Sequence, residues 1–160
     1  MDKKGSKTVY VKKYGIFNIV SILLCFFGVI ALKTFAAPCE RGMICVKTTS
    51  ACMVLLLIIA GLRAVSMASI FTYKREKELR VANNVVMFTV QFLLGTVGTL
   101  MINGAFPGMG VCRVETMRCA TMTRPFLSGC LFPMLIVIAM INIIYNVIML
   151  VRERNGNEDT

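Results

Sequence analysis

The sequence predicts an all-α, four-transmembrane-helix bundle built from two helical hairpins with Cys/Met-containing extracytoplasmic loops. Three observations predict it. The 160 residues are 57% hydrophobic with a mean hydropathy of +0.75, far outside the soluble range. Four apolar segments, at about 15–37, 51–73, 81–106 and 130–151, are each long enough to cross a hydrocarbon core of ~30 Å at ~1.5 Å per residue. Charged residues gather outside those segments. Helices are the form left open to such segments, because lipid offers no partner for backbone N–H and C=O groups.

Taken in order, residues 1–14 are polar and basic, with Lys3, Lys4, Lys7, Lys12 and Lys13 against Asp2. The first apolar segment follows. A signal peptide also has a basic start and an apolar core. The length of this run and Pro38 beside the only plausible cleavage region favour a retained span. Pro38 to Thr49, PCERGMICVKTT, forms a first polar tip. After the second segment, Lys74 to Arg80, KREKELR, is a short charged turn. After the third, Gly108 to Pro125, GMGVCRVETMRCATMTRP, dominates a second tip over 107–129. The fourth segment leads to a polar tail over 152–160. Small residues mark helix packing in lipid, where close approach replaces hydrophobic driving force. They stand at Ala60, Ala64 and Ala68 with Gly61 beside them, and at Gly95 and Gly98.

Orientation follows from Lys and Arg in short loops. The two tails and the KREKELR turn hold eleven, and the two tips with their flanks hold six. The richer side is expected to be cytoplasmic, in a cell membrane, with both termini inside and both tips outward. The net charge of +10 then reflects residues beside the membrane rather than a nucleic-acid surface, and the lipid bilayer is the first partner. The chain has no histidine, so it has no imidazole base and no histidine metal ligand. Most hydrolytic triads and zinc sites are thereby set aside. No cofactor is predicted.

The two tips share a core. Cys39, Met43 and Cys45 form the first; Cys112, Met117 and Cys119 form the second. Each is a cysteine, then Met-x-Cys, then threonines, as in a parallel repeat about an axis along the membrane normal. The spacings are Cys-x5-Cys and Cys-x6-Cys, unlike the Cys-x-x-Cys of thioredoxin-like redox sites. Outward-facing thiols in an oxidising compartment tend to pair. Disulfides within each tip, or between tips, are the structural expectation, and four cysteines allow three connectivities. The same thiolates with Met43 and Met117, and with Met109 and Met122 nearby, would suit Cu(I) or another soft metal. Twelve methionines spread through the chain weaken that signal. Cys25, Cys52 and Cys130 read as small apolar residues of the spans.

Arg63 stands near the middle of segment two, and no Asp or Glu occurs in any apolar segment. An arginine at mid-bilayer costs a few kcal/mol or more. It therefore snorkels, bonds neutral polar groups (Asn18, Asn83, Asn84, Gln91, Asn103, Asn142 and Asn146 are the candidates), or meets an acidic group on another subunit.

The tips resemble those of a family of small prokaryotic membrane proteins known as domain of unknown function 4418 (DUF4418). The likeness rests on Gly110-Val111-Cys112, Met117-Arg118-Cys119, Thr123, Pro125 and Leu127, and on Pro38-Cys39 with Met43-Ile44-Cys45. It covers nearly the whole chain. The resemblance implies four spans and no established activity, and an association with ABC-type transporter components. The family often carries His-Trp after the first Met-x-Cys; Val46 and Lys47 stand there in this chain, which removes any role built on that histidine. The resulting expectation is a non-enzymatic accessory or structural subunit of a larger membrane assembly, with other membrane subunits as partners. The alternative is an outward-facing thiol redox or soft-metal membrane protein. A small-solute transporter fits least, because the prolines lie in or beside the tips rather than mid-span.

Overall fold

Residues that favour helix in lipid do form helices. The computed structural model describes residues 3–34, 36, 44–72, 77–110, 117 and 119–158, with side chains for 15–34, 36, 44–69, 81–110, 117, 119–148 and 151. Helix α1 spans Lys3–Lys33, α2 Ile44–Thr72, α3 Lys77–Ile102 and α4 Phe132–Glu158. Two π-helical segments, Cys119–Thr123 and Pro125–Leu131, run directly into α4, so the chain is helical from Cys119 to Glu158. There is no strand among the described residues. Four stretches are long and apolar enough to cross a membrane: Gly15–Lys33, Ile44–Ser69, Val81–Ile102 and Cys119–Ile148. The protein is a multi-pass, all-α membrane protein.

The helices differ from the apolar segments in one systematic way. The second helix of each hairpin starts earlier than hydropathy indicates, at Ile44 rather than 51 and at Cys119 rather than 130. The added residues are rich in threonine and serine. Their hydroxyls bond carbonyls one turn back: Thr48 to Ile44 at 3.2 Å, Thr49 to Cys45 at 2.8 Å, Thr121 to Met117 at 3.4 Å and Ser128 to Arg124 at 2.9 Å. A hydroxyl satisfied by its own helix lets a polar stretch remain helical. Pro125, which has no N–H to donate one turn back, opens the second π-helical segment inside this continuous helical run, so the chain passes it with π rather than α hydrogen bonding. The expected tails are likewise helical over much of their length, from Lys3 at one end and to Glu158 at the other.

Burial follows a three-then-four spacing. On α3 the buried positions are 81, 84, 88, 91, 95, 98 and 102; on α1 they include 18, 21, 25, 28 and 32. This is the seam of near-antiparallel helices with knobs-into-holes packing. Glycines permit the closest approaches. A Cβ on Gly98 would lie 2.5 Å from ring carbons of Phe132, and one on Gly28 would lie 2.5 Å from Leu131 Cδ2. Gly95 and Gly98 thus act as the sequence suggests. The alanine stripe on α2 does not: Ala60 is buried, whereas Gly61, Ala64 and Ala68 face outward.

The core is divided along the membrane normal. Toward the tips it is apolar, built from Cys25, Leu32, Cys52, Leu56, Ile59, Leu127, Leu131, Phe132 and Leu135, with buried Thr48, Thr49 and Thr123 closing the tip end. Toward the tails it is polar and mostly uncharged. Asn18, Ser21, Arg63, Ser66, Asn84, Gln91, Asn142 and Asn146 are each at most 1% exposed.

Candidate functional site: the tip motifs and the buried arginine

Each Met-x-Cys motif marks the start of a helix. Cys45 lies in the first turn of α2 and Cys119 opens the π-helical stretch leading to α4. Both are buried, at 1% and 0% exposure. The threonines that follow cross between the halves. The Thr48 hydroxyl accepts the Gly110 N–H at 2.9 Å, and its one proton is within reach of two carbonyls, Gly110 at 3.0 Å and Ile44 at 3.2 Å. Thr123 donates to the Ala36 carbonyl at 3.0 Å. Thr48 begins the second helix of one hairpin and reaches the loop after α3. Thr123 begins the second helix of the other and reaches the loop after α1. The exchange is reciprocal, as two similarly oriented hairpins require. Gly110 adopts φ +139°, a region open to glycine alone in ordinary chains, which is how its N–H and C=O both face one hydroxyl.

Of the predicted tip residues, Cys39, Met43 and Cys112 lie outside the described residues. Met117 is half-buried, and its carbonyl accepts the N–H of Ala120 at 2.9 Å. Met109 is half-buried and Met122 is exposed. Cys45 carries a free thiol, and no disulfide joins it to any described cysteine. Cys25 and Cys52 are buried free thiols in the apolar core, and Cys130 is an exposed one. No group of three Cys, Asp or Glu side chains that could hold a metal ion occurs among the described residues.

Arg63 is the largest fully buried side chain. Its Nη1 donates to Asn18 Oδ1 at 3.4 Å and its Nη2 donates to the Met87 carbonyl. Its guanidinium carbon lies 3.7 Å from the centroid of the Phe88 ring. Of the neutral partners the sequence offers, the structure therefore selects Asn18, and adds a carbonyl and an aromatic face that residue-type reasoning missed. Phe88 shares the buried face of α3 with Asn84 and Gln91, four residues before it and three after. An aromatic at that register between polar neighbours is the signal in the sequence that would have found it. Snorkelling is overturned, because Arg63 is 0% exposed. Its depth also changes: the earlier start of α2 leaves it six residues from Ser69, the tail end of the span, or about 9 Å.

The remaining amides knit the same half together. Asn84 and Asn146 both donate to Asn142 Oδ1, at 3.2 and 2.6 Å. Gln91 donates to the Leu135 carbonyl at 2.9 Å. Asn83 donates to Ser69 Oγ at 3.0 Å. Asn103, by contrast, is exposed at the tip end and donates to Thr99 of its own helix. No family profile matches this chain, and comparison with curated proteins and with solved structures finds no similar one.

Proposed function

We propose that this chain is a non-enzymatic accessory or structural subunit of a larger membrane assembly. One observation carries the structural, non-enzymatic part of the reading: the strongest polar group in the interior, Arg63, joins helices through Asn18, Met87 and Phe88, while the larger assembly rests on the DUF4418 resemblance alone. A buried cation committed to α1 and α3 serves architecture. It is not the docking charge that an acidic partner subunit would meet at the lipid face, so a partner contacts the bundle elsewhere. An ABC-type transporter is the assembly that the DUF4418 resemblance suggests. In this reading the tips face outward, both termini are cytoplasmic, and Cys39, Cys45, Cys112 and Cys119 become paired as disulfides that hold the tips. The test is extraction of the tagged full-length protein in mild detergent, with native mass spectrometry. A second membrane subunit at fixed stoichiometry is expected; free monomer alone sinks the proposal.

The equivalent placement of Cys45 and Cys119 at two helix starts favours one second reading, an outward-facing thiol redox or soft-metal protein. It would use the four tip cysteines, with Met43 and Met117 as soft ligands. Alkylation before and after mild reductant, read by mass spectrometry, decides. Four cysteines that stay oxidised, with no bound metal, remove it.

A further inference from the structure

The buried polar side chains of the tip half, Thr48, Thr49 and Thr123, each bond a backbone carbonyl. The tail half differs. Ser21 Oγ, Asn84 Oδ1 and Gln91 Oε1 have no hydrogen-bond partner among the described residues, and all three residues are 0% exposed. An unmet buried polar atom is costly, and in folded proteins such atoms almost always have a partner, from the protein or from water. The three share one neighbourhood. Ser21 lies one turn along α1 from Asn18, which accepts from Arg63. Asn84 and Gln91 lie one turn to either side of Phe88, whose ring carries the guanidinium. Each is thus one helical turn, roughly 5 Å along its own helix, from a residue that Arg63 touches.

The chemistry of these atoms decides what can satisfy them. Asn84 and Gln91 have committed their amide nitrogens, to Asn142 Oδ1 at 3.2 Å and to the Leu135 carbonyl at 2.9 Å. Turning either amide over would set oxygen against oxygen, so the unmet atoms are acceptors and need a donor. A cation is disfavoured by the guanidinium, whose charge is fixed. An anion would face the same amide oxygens. A neutral donor small enough for a helix interior remains, and that is water. Side-chain volume is low in this layer, where buried Ala139 stands against Phe88 and Asn18 and Ser21 are short.

We propose that the tail half of the bundle interior is a hydration site. Water molecules bound there donate to Asn84 Oδ1 and Gln91 Oε1 and bond Ser21 Oγ, in the layer where the Arg63 guanidinium lies. Water held by buried polar groups is part of a fold, and a cation inside a membrane bundle is commonly accommodated beside it. The wet layer ends where Leu56, Ile59, Phe132 and Leu135 build the apolar half. Two phenylalanines of equal burial, Phe88 and Phe132, both 0% exposed, then stand in opposite surroundings, one wet and one dry.

The test is X-ray hydroxyl-radical labelling of the full-length protein in detergent micelles, read by peptide mass spectrometry. Radiolysis makes the radical where the water is, so a fully buried ring is labelled only where bound water touches it. Phe88 is expected to be labelled several-fold faster than Phe132. Equal, low rates at the two rings overturn the proposal. Ser21→Ala with Gln91→Met removes two of the three unmet oxygens and is expected to bring the Phe88 rate down toward that of Phe132. An unchanged Phe88 rate overturns the assignment of the waters to these atoms. A loosened bundle is recognised by a rise at Phe132; Ser21→Ala alone, which leaves the packing in place, is then expected to give a smaller fall at Phe88. A Phe88 rate that drops when sodium chloride replaces choline chloride would assign the site to a cation and overturn the water reading.

Discussion

If Arg63 holds the interior together, its energetic coupling to Phe88 should exceed its coupling to Asn18. Both members of the Arg63–Phe88 pair are 0% exposed and the guanidinium carbon sits 3.7 Å from the ring centroid. A desolvated cation–π contact of this kind is worth about 2 kcal/mol. The Asn18 bond is long at 3.4 Å. Side-chain hydrogen bonds inside membrane bundles average only ~0.6 kcal/mol, because the unfolded chain in lipid also finds partners. The perturbations are Arg63→Met, which keeps most of the volume, Phe88→Leu, which removes the ring face, and Asn18→Ala. Each is made singly and in pairs, and stability is measured by reversible dodecyl sulfate unfolding in mixed micelles followed by far-ultraviolet circular dichroism. The Arg63–Phe88 cycle should return a coupling near 2 kcal/mol, and the Arg63–Asn18 cycle roughly a third of that. Arg63→Met alone should be tolerated better than Arg63→Lys. Methionine removes a buried charge together with its contacts, whereas lysine keeps the charge but loses the planar face that stacks on Phe88. Couplings below about 0.5 kcal/mol in both cycles, within the scatter of additivity, would refute the structural role of Arg63 and reopen a partner-facing one.

Further outcomes follow from other contacts. Gly98→Val should destabilise the bundle by about 1–3 kcal/mol through overpacking, since a Cβ there meets the fully buried Phe132 ring at 2.5 Å; Phe132→Leu should recover part of the loss in the same unfolding assay. Gly61→Ala, with nothing within 4 Å of the added carbon, should be neutral or stabilising in that assay. Thr48→Val should cost about 1 kcal/mol and more than Thr34→Val, because Thr48 accepts the buried Gly110 N–H across the halves while Thr34 bonds only its own helix. An alkaline phosphatase fusion after Asn155 should be inactive, and one inserted after Gly108 active; the reverse pattern would invert the proposed orientation.

Hydropathy and charge spacing made the four spans and their pairing into hairpins legible, because lipid leaves helices little alternative. The start of each second helix was not legible. Lys47-Thr48-Thr49-Ser50 and Thr121 to Ser128 read as loop by polarity, yet their hydroxyls fold back onto helix carbonyls. Arg63 shows the same limit from another side. Residue types named Asn18 among seven neutral partners, but choosing between them required the register of α1 and α3. The Met87 carbonyl carries no residue-type signal at all. The repeated Cys, Met and Thr pattern was visible, whereas the crossing of its threonines between halves depends on loop geometry at Gly110 and Ala36.

That crossing bears on how the tip cysteines would act if they pair. The halves are already joined at the tip end by Thr48 with Gly110 and Thr123 with Ala36. A disulfide within the first tip, Cys39 to Cys45, closes a loop of seven residues, and one between Cys45 and Cys119 closes a loop of 75. By loop-closure entropy the short link is worth ~2 kcal/mol and the long one ~4.5 kcal/mol. The threonine crossings position the two hairpins without the long link. Local pairing would complement such a fold, fixing each tip where the crossings fix the halves. Removing the first link alone, by Cys39→Ser in the oxidised protein, should then cost ~2 kcal/mol. A loss of about 4.5 kcal/mol from that one substitution would instead assign the tie between the halves to sulfur.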